Sequence, residues 1–188
     1  AEQQLSFIRF VVDRVAGRAR ITAGAGSNCT RESVDMVNEI QRIAPGTPCL
    51  CVTGYYNNPP QRGLIDHFET LVGETDAPVV LYNVPSRTNS YMEPETLVHL
   101  ARNPRIIGVK QAVDFMNPGR HREDTRAVVE RTKDLDFAVV TGEDDGFLPI
   151  LELGGAGIIT ATGNIPEAAR LYLRPLQEFR PGDTAAAT

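Results

Sequence analysis

In the stretch PRIIGVKQAVD, Lys110 closes the short β-branched run of Ile106, Ile107 and Val109. A β-branched run has the composition of a buried strand. An ammonium group, by contrast, is strongly hydrated and costly to bury. Three readings compete: the lysine reaches solvent at the strand's end, it pairs with a carboxylate, or it is a buried amine that does chemistry. The third reading implies a definite reaction. A low-dielectric pocket favours the neutral amine, which attacks a ketone carbonyl and forms an imine, an electron sink for making or breaking carbon–carbon bonds.

Tyr82 closes the preceding strand-like run, in VVLYNVPSRT. If the two strands are adjacent and parallel, Tyr82 and Lys110 stand side by side on one rim, where a phenol can carry protons to and from the carbinolamine and imine. Taken alone, Tyr82 fits equally well as a core aromatic with a satisfied hydroxyl. Arg87 follows in the same loop. A guanidinium can grip a carboxylate bidentately, although an isolated loop arginine is more simply a solvated one. Tyr55 and Tyr56 sit together in GYYNNPP. Two adjacent aromatics on a rim suggest an interface or a pocket wall; the plainer reading is a loop packed on its own helix.

The other polar groups point to chemistry less strongly. GEDDG offers Glu143, Asp144 and Asp145 after a strand, a pattern that reads as a solvated turn with helix-capping carboxylates more readily than as a metal site. GAGSN lacks the third glycine of a dinucleotide fingerprint and reads as a structural turn. His67, His99 and His121 are scattered through helical stretches and read as surface or helix-packing residues. Cys49 and Cys51 would share one face of a strand, too close along the chain for usual bridge geometry. With Cys29 they make an odd count without disulfide density, which suggests free thiols, a reduced compartment and a cytoplasmic setting. No second Cys/His pair lies nearby, so no metal is expected.

The elements that must position these residues recur as a beat of strand, Gly/Asn/Pro loop and amphipathic helix. The strand candidates are RITAG, PCLCVT, PVVLYN, RIIGVK, FAVVT and AGIIT, most of them one βα unit apart. Thr30 is the expected N-cap of RESVDMVNEIQRI, whose Val34, Val37 and Ile40 should face the sheet. Pro94 and Pro166 stand where helices should begin. Nearly continuous apolar strands alternating with helices imply a parallel sheet covered on its faces. An open doubly wound sheet and a (β/α) barrel both satisfy that pattern, and the functional-looking residues after successive strands favour the barrel. Six βα units of the eight a barrel needs are present, so the sequence predicts one partial barrel domain over residues 1–188, a truncated chain or a fragment.

The 188 residues are 41% hydrophobic and 23% charged, with a net charge of −5. These are ordinary values for a globular protein. The charges are interspersed, so neither a nucleic-acid nor a membrane surface is expected. There is no secretion signal in AEQQLSFIRFVVDRVAGRAR and no apolar run of membrane-spanning length.

Together GAGSNCTRES, VTGYYNNPPQRGLIDHF, LYNVPSRTN, IIGVKQA and GEDDGFLPILELGGAGIITATGN closely resemble the dihydrodipicolinate synthase/N-acetylneuraminate lyase family. YNVPSRT, with its arginine, is similar to the synthase branch. The resemblance implies a TIM (β/α) barrel, assembled as a homotetramer of tight dimers. It implies condensation of pyruvate with aspartate semialdehyde to 4-hydroxy-tetrahydrodipicolinate in lysine biosynthesis, with no cofactor beyond a covalent imine on Lys110. It assigns Tyr82 to proton shuttling beside that lysine and Tyr56 to completing a neighbour's relay across the dimer interface. Arg87 would bind the semialdehyde carboxylate. Gly142 and Ile159 would line the pyruvate pocket through their backbone, and Asn28, Glu32 and Tyr55 would belong to a lysine feedback site. Other outcomes are an N-acetylneuraminate lyase, another 2-keto-3-deoxy sugar-acid aldolase, or a non-catalytic remnant. The family's first two strands, with a Gly-Thr-Thr segment that completes the relay, and its C-terminal helices have no counterpart in these residues. Gly54 stands where proline is usual, and VKQA replaces IKEA or IKDS. If the chain is complete as it stands, Lys110 is poorly supported and the expected activity is weak or absent.

Overall fold

The computed structural model describes residues 1–115 and 119–178; the polar tail RPGDTAAAT lies outside them. Each apolar run identified in the sequence carries a strand: β1 (Ala23–Gly24), β2 (Cys49–Val52), β3 (Val79–Asn83), β4 (Ile106–Gln111), β5 (Ala138–Thr141) and β6 (Gly157–Ile158). All pair in parallel, in the order β1-β2-β3-β4-β5-β6. The helices α1 (Glu2–Val15), α2 (Thr30–Ile43), α3 (Gln61–Gly73), the short α4 (Pro85–Thr88), α5 (Pro94–Leu100), α6 (Arg120–Thr132), α7 (Phe147–Glu152) and α8 (Pro166–Glu178) alternate with them.

Side chains of a strand point alternately to its two faces, and here the faces differ in burial. Cys49, Cys51, Val79, Leu81 and Val109 point to the helices and are completely buried, packed in one core with Val37 and Ile40 of α2, Phe68 and Leu71 of α3, and Val128 of α6. Leu50, Val52, Val80, Tyr82, Lys110 and Val140 occupy the opposite, concave face and are only half-buried. The register puts Val52, Tyr82, Lys110 and Val140 on one level across four strands.

Pro94 and Pro166 open α5 and α8, and Val34, Val37 and Ile40 are buried, as expected. The α2 cap differs. Cys29 is the N-cap residue and no side chain caps the helix. The Thr30 hydroxyl pairs instead with His67 Nδ1 at 2.8 Å, while Ser27 Oγ accepts from Cys29 N–H and donates to Glu32. The loop thus holds the helix start from upstream. Within RITAG the strand covers Ala23–Gly24, with ladder bonds from Ala23 N–H to Pro48 O and from Ala25 N–H to Leu50 O. Among the described residues no helix is long and apolar enough to cross a membrane.

Candidate active site

Residues at the C-terminal ends of parallel strands share a rim. Here β3 and β4 place Tyr82 opposite Lys110 in register. The Lys110 Nζ lies over the Tyr82 ring, 4.4 Å from its centroid, within cation–π range. None of the ion pairs among the described residues involves Lys110, and its half-burial on the concave face separates it from an ordinary solvated lysine. On its other side stands Gly142, whose N–H donates to Gln111 O at 2.8 Å. A Cβ at Gly142 would lie 2.6 Å from Lys110 Cε and 2.8 Å from Ala112 Cβ. The glycine therefore leaves room for the lysine's terminal methylene to lie flat.

Tyr82, Arg87 and Tyr55 line one cleft of about 420 Å³, floored by Leu50 and Val52 of the concave face. Arg87 sits on α4, a single turn begun by Pro85 and closed by Asn89 at φ 55°; its side chain is exposed. A carboxylate entering the cleft would meet the Arg87 guanidinium at its rim; Lys110 does not line this cleft and adjoins it only through Tyr82, which does. Ile159 continues the β5–β6 ladder, its N–H donating to Thr141 O at 2.9 Å, so its backbone lies two strands from Lys110.

Glu32 and Tyr55 line a second cleft of about 530 Å³, joined by Asp35 and Glu39 along one side of α2. Asn28 is exposed in the loop before that helix. Tyr55, Gly26 and Ala25 belong to both clefts, so one wall separates them. Tyr56 stands apart from both: it is 94% exposed and holds φ 76°, a conformation uncommon for a bulky residue.

One group departs from its sequence-level reading. The GEDDG carboxylates do not cap α7, whose N-cap is Gly146 without a side-chain bond. Asp144 instead accepts hydrogen bonds from Thr160 Oγ1 and Thr162 Oγ1, each at 2.5 Å, and from the Tyr172 hydroxyl at 2.9 Å. The Thr160 hydroxyl, then that of Thr162, hold its carboxyl below the usual range. His67 is the helix-packing residue the sequence suggests: it is buried on α3 against Phe68, and burial pushes it below its ordinary value. Among the described residues no group of three or more His, Cys, Asp or Glu side chains is arranged to hold a metal ion.

The sequence reasoning also missed Asn83 and Gln111. Both are completely buried on the helix side of the sheet, and Asn83 Nδ2 donates to Gln111 Oε1 at 2.8 Å. Strand alternation could have found them, since each directly follows a residue read as facing the pocket.

Residues 1–188 match the Dihydrodipicolinate synthetase family. A 4-hydroxy-tetrahydrodipicolinate synthase of Methanoculleus marisnigri is 37% identical over 186 residues, covering 99% of this chain and 60% of the relative. A solved E. coli K12 prophage protein of the dihydrodipicolinic acid synthase family, in complex with pyruvate, superposes with a TM-score of 0.86 at 29% identity, covering 99% of this chain and 60% of that one. A synthase from Cyanidioschyzon merolae solved with lysine bound gives 0.84 at 32% identity, covering 96% and 59%. The chain thus spans about three-fifths of the length of these relatives.

Proposed function

We propose, for a chain that belongs to the dihydrodipicolinate synthetase family and folds as an incomplete (β/α) barrel, a pyruvate-dependent lyase reaction through an imine on Lys110. The observation that carries this reading is the register pair Tyr82–Lys110, with Nζ lying over the phenol ring on the half-buried concave face. The amine adds to the keto carbon of pyruvate and water leaves, giving the imine. Loss of a methyl proton then gives the enamine, whose carbon attacks an aldehyde. Tyr82 is the group beside the nitrogen able to carry those protons. The chemistry requires no metal or organic cofactor.

Aspartate semialdehyde is the proposed acceptor and 4-hydroxy-tetrahydrodipicolinate the proposed product, in the direction of lysine biosynthesis. The names of the relatives and an arginine at the cleft rim support this choice over a sugar-acid aldehyde. Gly142 and Ile159 would bound the pyruvate end. The acidic cleft at Glu32 and Tyr55, with Asn28 beside it, is the proposed place for a feedback amino acid, and the relative solved with lysine bound supports that reading. Tyr56, almost free of its own chain, suits a role across an interface between copies, consistent with a homo-oligomer built from dimers. The free thiols agree with a cytoplasmic setting.

The test is reduction with borohydride in the presence of pyruvate, followed by peptide mass spectrometry. The chain has two lysines, Lys110 and Lys133, so the assignment is unambiguous. One reduced pyruvyl adduct on Lys110 is expected, absent in Lys110→Arg; a folded chain without it removes the proposal. Arg87→Ala should keep the adduct and lose turnover of the semialdehyde. Equal turnover of sugar-acid aldehydes would move the acceptor assignment to an aldolase of that class.

A further inference from the structure

The residues that follow Tyr82 and Lys110 form a second registered pair, Asn83 opposite Gln111, turned to the helix side. Asn83 makes three side-chain bonds. Its Nδ2 donates to Gln111 Oε1 at 2.8 Å and to Met92 O at 3.3 Å, and its Oδ1 accepts from Met92 N–H at 3.0 Å. Gln111 Nε2 reaches Thr125 Oγ1 of α6 at 3.5 Å, at the long end of the range. All three polar side chains are completely buried.

We infer that this buried amide pair is a positioning device that sets the Lys110–Tyr82 geometry; the inference rests on reading Lys110 as the imine-forming amine. The β3–β4 register breaks between Val79 and Val80, whose partners are Ile106 and Gly108. One extra residue, Ile107, is absorbed there, so the ladder below the break does not dictate the pairing above it. Valine and leucine side chains tolerate a slip chemically, although it would exchange the two faces of the strand. The amides do not, because in any other register buried donors lose their partners. The pair lies beyond the break, on the rungs that carry the lysine and tyrosine. The bonds from Asn83 to Met92 also close the loop that contains Arg87. One side chain thereby ties together the strand of the phenol, the strand of the amine and the loop of the guanidinium. Neither amide reaches the concave face, so neither is a catalytic residue.

Gln111→Met keeps length and bulk and loses both bonds. Two readouts are taken: borohydride trapping of pyruvate at Lys110, and trace acetylation of Lys110 relative to Lys133 across pH, which needs no pyruvate. Gln111→Met is expected to slow trapping at saturating pyruvate by roughly tenfold or more and to change the acetylation ratio by about threefold. If Gln111→Met fails to fold, Gln111→Asn, an amide one methylene too short to reach Asn83, takes its place with the same expectations. A folded Gln111→Met or Gln111→Asn with only a lowered melting temperature, and both readouts unchanged, overturns the inference. If the parent chain forms no adduct, the imine reading fails by itself, and the acetylation ratio still decides whether the amide pair positions Lys110.

Discussion

Gly142→Ala tests the wall against which Lys110 lies. The added Cβ would stand 2.6 Å from Lys110 Cε, 2.8 Å from Ala112 Cβ and 3.3 Å from Ala112 Cα. Ordinary carbon–carbon contact begins near ~3.5 Å, so the lysine's end must retreat by about 1 Å. Ala112 is almost fully buried and its backbone N–H donates to Asn83 O, so it can yield little. Overpacking of this kind costs roughly 1–3 kcal/mol of stability. A displacement of about 1 Å at a reacting group costs on the order of 10²-fold in rate. The expected result is thus a folded protein with a lower melting temperature and pyruvate trapping slowed far beyond what the stability loss explains. The assay is a borohydride-trapping time course read by intact mass, with thermal melts followed by circular dichroism. Gly73→Ala is the control, because a Cβ there meets nothing within 4 Å; it should keep the parental trapping rate. If Gly142→Ala folds and traps pyruvate within about twofold of the parent, Lys110 is not held by this wall and the argument from geometry is refuted.

Phe68→Ala should lose about 3–5 kcal/mol in denaturant unfolding, since the ring is completely buried and meets His67 edge-on; a loss below about 1 kcal/mol would contradict its place in the core. The Asp144 carboxyl titrates below its usual range when folded, so its stabilisation is complete above the unfolded-state value and fades as pH falls through the folded one. Asp144→Asn should therefore lower the melting temperature most near neutrality, with the gap closing in acid; a gap that widens in acid has the wrong sign. Cys29 is exposed, whereas burial pushes Cys49 up to about 11 and Cys51 higher still. One thiol should react quickly with an aromatic disulfide reagent at mild alkaline pH and the other two only after unfolding, so three comparable rates would place the β2 cysteines outside the core.

The strands could be read from the sequence because their signal is local. Runs such as VVLY and IIGV have few alternatives to a buried strand. The side-by-side placement of Tyr82 and Lys110 followed once parallel neighbours were assumed. What could not be read depends on contacts between distant residues. Asp144 looked like part of a charged turn, but its partners are 16, 18 and 28 residues away. Thr30 looked like a cap until His67, 37 residues on, took its hydroxyl. Asn83 and Gln111 carried a local signal that went unused: a polar residue on the face shared with Leu81 or Val109 must be buried, and a buried amide needs a partner.

The uneven pairing of the sheet also sets the order in which it comes apart. β1 and β6 each hold their neighbour through two registered positions, whereas β3 and β4 share five. Openings that expose amides to exchange start where the local free energy is smallest. Deuterium should therefore enter at Ala25 and Ile159 long before Leu81 and Val109, with the slowest amides exchanging only on global unfolding. The amine and the phenol are mounted on that slowest unit, so fraying at either flank of the sheet leaves their mutual orientation intact.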